Sequence, residues 1–315
     1  MENIFGPVPS RRLGRSIGIN NIPPKVCSYS CVYCQLGRAI EMAAERREFY
    51  KPSELVEAAG RRIEELRQKD EKINYLTIVP DGEPTLDIHV GELIDGLRQF
   101  GIPVALISNG SLMADPQLRE ELMALDWLSI KVDAADEETW RRPDRPHKKI
   151  DFSHMRAGIK FLAETFKGVL TTETMLVEGV NDSRKQIDGV ADFIETLEPA
   201  KAYISIPTRP PAESWVAPAD EEAIAYAYGK CASVIPFVEN LIGYEGNEFN
   251  ASGDARQDLL GITAVHPMRR DAVEELLKKD QAETDVLQNL LDEEELVEVT
   301  YGDHTYYVRK LRRPR

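Results

Sequence analysis

The sequence predicts an α/β protein: a partial, TIM-like (β/α)6 barrel followed by a small winged-helix-like domain at the C-terminal end. Six short apolar runs near residues 17, 75, 103, 127, 169 and 201 are each followed by a helix or a loop, the order of parallel βαβ units. Polar residues collect just after these runs, at the strand ends where such sheets bind ligands. After residue 262 the pattern changes to helix, helix, hairpin. The expected division is therefore 1–245 for the barrel, 246–262 for a linker or cap rich in Gly and Asn, and 263–315 for the second domain.

Bulk properties narrow the classes. The chain has 315 residues, of which 42% are hydrophobic, enough for a sizeable core and too much for wholesale disorder. No apolar run approaches the roughly 20 residues a membrane helix needs, so no membrane association is expected. The start, Met1 to Pro7, lacks the order of a signal peptide. Only four cysteines are present, three of them clustered, which reads as a reducing cytoplasm. The net charge of −15 argues against a protein that coats nucleic acid. Locally the sign reverses: residues 1–40 carry five basic side chains against Glu2, and Arg141–Lys149 carries five against Asp144. A basic mouth on an acidic body leaves an RNA substrate open, and a solvated charged face is the bland alternative.

In chain order, Pro7–Ser16 has too much proline and glycine for a helix and is expected to be an ordered approach loop. Its Arg11, Arg12 and Arg15 are candidates for substrate contact because they closely precede the cysteines; pairing with surface carboxylates is the alternative. A strand-like run, Ser16–Ile22, then leads to Cys27-Ser-Tyr-Ser-Cys31-Val-Tyr33-Cys34. Three thiols this close cannot all form disulfides, and one loop can aim them at a single point, as a soft metal or an iron–sulfur cluster requires. A structural zinc site takes four ligands, usually as two separated pairs, and no fourth cysteine or histidine lies near. Zinc, or a bland buried loop, is the alternative to a cluster.

Helical spacing of Leu55, Ala58, Ala59, Ile63 and Leu66 predicts a helix over 52–69. The strand run Tyr75–Val79 ends in Asp81-Gly82-Glu83-Pro84, a turn at the ligand end of a parallel unit. A helix over 87–100 and a strand over 103–107 follow, the latter ending in Ser108-Asn109-Gly110. That sequence also fits a plain strand-terminating turn. After a helix over 115–125, the strand Trp127–Asp133 places Lys131 and Asp133 on one face. Opposite charges on a buried strand are costly unless they lie at its open end, which points to a polar ligand there. Residues 136–150 read as a long polar loop, a lid or substrate contact. A helix over 150–166 and a strand over 168–177 come next, with Asn181-Asp182 as turn and cap before a helix over 183–197. The strand Lys201–Ile206 ends in Pro207–Pro211, a stiff turn from which Arg209 would grip substrate or cofactor. A helix over 219–230 precedes Cys231, read as a small buried hydrophobe rather than a ligand. Finally, helices over 266–279 and 284–291 and a hairpin turning at Gly302-Asp303 form the second domain. Nine basic and twelve acidic residues give residues 263–315 a charge of −3, which argues against DNA binding and for protein contact or a regulatory role.

Cys-x3-Cys-x-aromatic-Cys followed by an α/β chain resembles the radical S-adenosylmethionine (radical SAM) superfamily. The resemblance implies that Cys27, Cys31 and Cys34 hold a [4Fe–4S] cluster whose free iron chelates the amino and carboxylate groups of S-adenosylmethionine. The reduced cluster would cleave that cofactor and make a 5′-deoxyadenosyl radical, which takes a hydrogen atom from the substrate. A flavodoxin or ferredoxin-like donor would supply the electron. Tyr33 falls where the family places an aromatic beside the adenine. Asp81-Gly82-Glu83-Pro84 resembles the family's Gly-Gly-Glu-Pro turn, which holds the methionyl amino group; an aspartate replaces the first glycine. By the same resemblance Ser108 and Asn109 lie near the cofactor's carboxylate or ribose, Lys131 and Asp133 at a strand end used for cofactor contacts, and Val177 and Asn181 beside the adenine. The run Phe5–Leu36 closely resembles the branch related to tRNA wyosine-base synthases, which implies a guanine base in tRNA as substrate. Archaeal members use a second cluster with its own cysteines, and this chain has no second set. A peptide or a metabolite is the other substrate class, and no catalytic side chain is assigned. A non-enzymatic iron–sulfur regulator that reads DNA through the winged helix is the competing class; it leaves the Gly-Glu-Pro turn unexplained.

Overall fold

The computed structural model describes residues 3–242, 249, 251, 253–265 and 267–310. It opens with an antiparallel hairpin, β1 (Ile4–Ser10) and β2 (Gly14–Ile19), where an approach loop was expected. The prolines are tolerated because β1 is an edge strand, and the register slips between Phe5 and Val8. Two short parallel strands, β3 (Val26–Cys27) and β4 (Glu41–Met42), then bracket the cysteine loop.

Six βα repeats follow the expected order. They comprise α1 (Pro52–Gln68), β5 (Tyr75–Ile78), α2 (Val90–Arg98), β6 (Val104–Ser108), α3 (Pro116–Glu121) and β7 (Trp127–Lys131). They continue through α4 (Glu137–Arg141), α5 (Phe152–Thr165), β8 (Val169–Met175), α6 (Arg184–Glu195), β9 (Lys201–Ser205), α7 (Glu221–Val234) and β10 (Val238–Leu241). The large sheet runs β1-β2-β5-β6-β7-β8-β9-β10 and is parallel from β2 onward. Spatial order follows chain order, as in a barrel wound in one direction, and among the described residues the two edge strands do not pair, so the wall stays open. The sheet thus has seven parallel strands where six were expected; β10 escaped notice because only Leu241 of its four residues is buried. The expected loop over 136–150 contains α4, whose N-cap Asp136 accepts from Thr139 N at 2.9 Å.

The helices cover the outer face of the sheet. Leu55, Ala59, Ile63 and Leu66 of α1 and Leu93, Ile94 and Leu97 of α2 are buried with Leu76, Ile78 and Leu106 of the strands. Cys231 lies within α7, 4% exposed among these apolar side chains, as expected for a structural thiol. No helix among the described residues is long and apolar enough to cross a membrane.

Beyond the barrel lie α8 (Ala255–Val265), β11 (Met268–Arg269), α9 (Arg270–Lys279), α10 (Asp285–Asp292), β12 (Leu296–Tyr301) and β13 (His304–Arg309). The three strands form an antiparallel sheet in the order β11-β13-β12. A core of its own joins Leu259, Ile262, Met268, Leu276, Leu290 and Leu296. Part of the expected linker is therefore helix α8, whose apolar face fills this second core; the boundary at 245–246, His266 and the tail after Lys310 lie outside the described residues. Tyr301 and Tyr306 donate from this sheet to the carbonyls of Pro207 and Thr208, each at 3.0 Å, so the second core abuts the end of β9.

Candidate active site

A cavity of about 390 Å³ opens at the carboxyl ends of the parallel strands, the position where such sheets collect ligands. The cysteine loop forms one wall. Its Cys27, Cys31 and Cys34 all line the cavity and are partly exposed. Backbone bonds fix the loop on both sides. Cys34 N donates to Cys31 O at 3.2 Å and Gly37 N to Cys34 O at 3.0 Å, giving two successive turns. Val32 N donates to Pro143 O and His147 N to Ser28 O, both at 2.8 Å, which ties the loop to the basic segment after α4. Burial and the nearby Glu83 carboxylate push the Cys27 thiol up to about 12; burial and Asp144 push Cys31 well above its ordinary value.

The turn after β5 forms the next wall. Gly82 is required there: a Cβ would stand 1.9 Å from Val26 O, so this turn presses directly on the strand that carries Cys27. Glu83 is buried, and its carboxylate accepts from Thr85 N (3.1 Å), Ser108 Oγ (2.8 Å) and Asn109 N (2.8 Å). It braces the ends of β5 and β6 together. Burial raises its carboxyl above the ordinary value although these donors pull the other way. Asn109 Nδ2 donates to Ser28 Oγ at 2.8 Å and approaches Cys27 Sγ at 3.8 Å. Asp81 is different. It is 1% exposed, it lines the cavity, and among the described residues neither carboxylate oxygen has a hydrogen-bond partner. Burial pushes its carboxyl up to about 7, against the pull of Lys25 and Arg309.

A buried chain of polar groups runs across the floor. Tyr33 OH donates toward Asp133 and Asp144, the latter at 2.8 Å, and Lys131 Nζ sits 4.9 Å from the centre of the Tyr33 ring. Lys131 lies 3.8 Å from Asp133 and 3.6 Å from Glu173, and Glu173 pairs with Arg12 at 2.6 Å. Burial opposes the charge of Lys131, but Asp133 and Glu173 outweigh it and raise its ammonium above the ordinary value. Burial would raise Glu173 too, but Arg12 and Lys131 hold it low. Burial and the adjacent Asp133 push the Asp144 carboxyl well above its ordinary value.

The predicted residues separate into two groups. Tyr33, Gly82, Glu83, Ser108, Asn109, Lys131, Arg11, Arg12 and Arg209 reach the cavity with the cysteines. Arg209 donates to Gln35 Oε1 at 2.6 Å, bridging the β9 turn to the cysteine loop. Pro84 is buried behind the cavity at the start of a 3-10 turn, and its carbonyl accepts from Asn21 Nδ2 at 3.0 Å. Asp133 lies beneath the floor. Val177 packs with Val32 and Tyr33, and Asn181 is a brace: its Nδ2 donates to Asp133 O and Met175 O, both at 2.8 Å. The 177–182 segment therefore supports Tyr33 from behind instead of lining the cavity. The cap of α6 is Ser183, while Asp182 accepts from Gly179 N at 3.0 Å. Arg15 stands apart, paired with Glu71 beside Asn74. Sequence reasoning missed Lys25, Asp144 and Glu173; the only signal was that Asp144 is the sole acid within a basic run.

A family model described as the Radical SAM superfamily matches residues 21–194. The chain is 41% identical over 314 residues to the UPF0026 protein MJ1312 of Methanocaldococcus jannaschii, covering 99% of this chain and 97% of that protein. Among solved structures, a radical SAM methyltransferase from Sphaerobacter thermophilus superposes with a TM-score of 0.54 at 14% identity, over 71% of this chain and 66% of that one. TYW1 with a lysine–pyruvate adduct bound gives 0.50 at 18% identity, over 70% and 74%. At such identities these two likenesses speak for the fold alone.

Proposed function

The chain belongs to the radical SAM superfamily and is an enzyme, and from that premise we propose that Cys27, Cys31 and Cys34 bind a [4Fe–4S] cluster beside S-adenosylmethionine. The observation that carries the reading is the placement of all three thiols on the wall of one cavity, against the turn that contains Gly82 and Glu83. The donor set fits. Three cysteine thiols on one loop facing one cavity are the donor type that an iron–sulfur cluster takes. Bound together, the cluster and cofactor supply a 5′-deoxyadenosyl radical for hydrogen abstraction.

The chain's own groups then divide the remaining work. Asp81 supplies free acceptor oxygens inside the cavity for the cofactor's amino group, while Glu83 keeps the strand ends rigid. Asn109 and Ser108 present donors and acceptors beside Cys27. Tyr33, held by Asp133, Asp144 and Val177, gives a fixed aromatic wall. Arg11, Arg12 and Arg209 line the cavity together with Lys131 on its floor, and these cations suit a substrate that carries negative charge. With the resemblance of residues 5–36 to wyosine-type enzymes, this favours a base in RNA; a charged peptide or metabolite is the alternative that the same cations would accept. The electron comes from an external flavodoxin or ferredoxin-like donor. The unit around α8–α10 and β11–β13 is read as a winged-helix-like domain that shapes the cavity rim through Tyr301 and Tyr306.

The test is anaerobic reconstitution followed by dithionite and S-adenosylmethionine, with 5′-deoxyadenosine as the product measured. Wild type forms it and Cys31→Ala does not. No product from a wild type with an intact cluster, with RNA and peptide candidates supplied, overturns the proposal. Deuterium carried into 5′-deoxyadenosine from a labelled RNA identifies the substrate.

A further inference from the structure

Lys25 is a lysine in an unusual place. It is 5% exposed and adopts φ = 65°, the left-handed region that a side chain with a Cβ rarely enters. Three backbone contacts hold it there. Its N–H donates to Asp81 O at 2.6 Å, and its carbonyl accepts from Ile40 N at 2.9 Å and from Glu41 N at 3.2 Å. The loop is thus clasped where it enters and leaves the cysteine segment. The consequence is the direction of the side chain, which turns back under the loop. Its Nζ donates to Gly37 O and reaches Cys34 Sγ at 3.7 Å. Strain of this kind persists only where the surroundings enforce it, and here the surroundings deliver a buried ammonium to a sulfur.

We infer that Lys25 is an electrostatic positioning residue for the cluster: it holds a fixed positive charge against the Cys34 sulfur and raises the reduction potential of the cluster bound there. The inference rests on the cluster reading above and adds a role for a residue outside the cysteine motif. Reduction adds one electron from an external low-potential donor, and no bond forms or breaks. The added negative charge spreads over the cluster and its thiolates. A cation at hydrogen-bonding distance in a poorly solvated site stabilises that state more than the oxidised one, and hydrogen bonds to cluster sulfurs and net charge are established determinants of potential. Asp144, by contrast, meets Cys31 Sγ at 3.7 Å from the other side of the loop, so the three ligands are not electrostatically equivalent, and Cys34 has the cationic contact.

The experiment is a redox titration followed by electron paramagnetic resonance, without S-adenosylmethionine, on reconstituted wild type, Lys25→Met, Lys25→Gln and Lys25→Arg. Iron and sulfide are counted first in each. At a potential poised on the wild-type midpoint, both neutral variants are expected to show about a tenfold lower ratio of reduced to oxidised cluster, equivalent to about 59 mV for one electron. Lys25→Arg retains the charge and stays much closer to wild type. Neutral variants with full iron content and the wild-type ratio overturn the inference. Loss of the cluster from every neutral variant also overturns it, because Lys25 would then build the loop instead of setting its potential. If wild type itself takes up no [4Fe–4S] cluster, the cluster reading falls first, and the iron count reveals which has failed.

Discussion

Glu83 and Asp81 are two residues apart, both buried, and oppositely satisfied. Glu83 spends its lone pairs on the protein's own donors. Glu83→Gln puts an amide where these donors need an acceptor and is expected to cost about 1–3 kcal/mol of stability, read by urea unfolding of cofactor-free protein. Asp81 has no such partners. Its carboxyl is pushed up to about 7 from an ordinary 3.8, so between those values the folded state holds a proton that the unfolded chain has released. Stability therefore falls as pH rises from about 4 to 7. Asp81→Asn removes that dependence: it should match wild type near pH 4 and exceed it at pH 8, by up to about 4 kcal/mol. A difference that stays constant across denaturant melts from pH 4 to 8 would contradict this. At this scale the sequence was legible where local spacing brings side chains together, as in Cys27, Cys31 and Cys34 on one cavity wall. It was opaque where function depends on distant partners: Tyr33 meets Asp144 across 111 positions, and nothing local marks that meeting.

The loops around the cavity are joined by Glu213, which lies on the segment between β9 and α7. Its carboxylate accepts from Arg38 at 2.8 Å on the cysteine loop and pairs with Arg145 on the basic segment, while its N–H donates to Val32 O at 3.0 Å. Hydrogen bonding to Arg38, against burial and together with Arg145, holds its carboxyl below the ordinary value. The clasp is thus complete at neutral pH and is lost as pH falls through that lowered value. Glu213→Ala should speed amide hydrogen exchange over 28–40 and 207–218 and leave α1 and α2 unchanged; uniform exchange across the chain would refute the clasp. Gly82→Ala tests a second joint. Its Cβ would collide with Val26 O, so the variant is expected to retain less iron after reconstitution. Most elements were readable because buried parallel strands appear as short apolar runs between amphipathic helices. Two strands of the large sheet were not, nor were the two-residue strands β3, β4 and β11. β1 carries prolines, which an edge position permits, and β10 lacks an apolar run.

As a whole molecule the protein is acidic, −15 in total, while Arg11, Arg12, Lys25, Lys131 and Arg209 line the cavity. An overall negative charge does not make the surface a general nucleic-acid binder. The C-terminal unit follows the same logic. Its net charge of −3 over 263–315 and its contacts with Pro207 and Thr208 favour a role at the rim. Fluorescence anisotropy with duplex DNA should therefore show no binding that strengthens as salt is lowered; a steep salt dependence would instead indicate phosphate contacts. The helices and hairpin of this unit were legible in its periodicity. Its packing against the end of β9 was not, since two tyrosine hydroxyls and two backbone carbonyls leave no pattern in a sequence.

The central claim is that the three cysteines hold a cluster with one iron open to S-adenosylmethionine. The most direct measurement is the electron paramagnetic resonance spectrum of the reduced, reconstituted protein before and after that cofactor is added. A [4Fe–4S] signal whose g-values shift on addition is expected, with the shift weakened in Asp81→Asn. An intact reduced cluster whose spectrum is unchanged by saturating S-adenosylmethionine would contradict it.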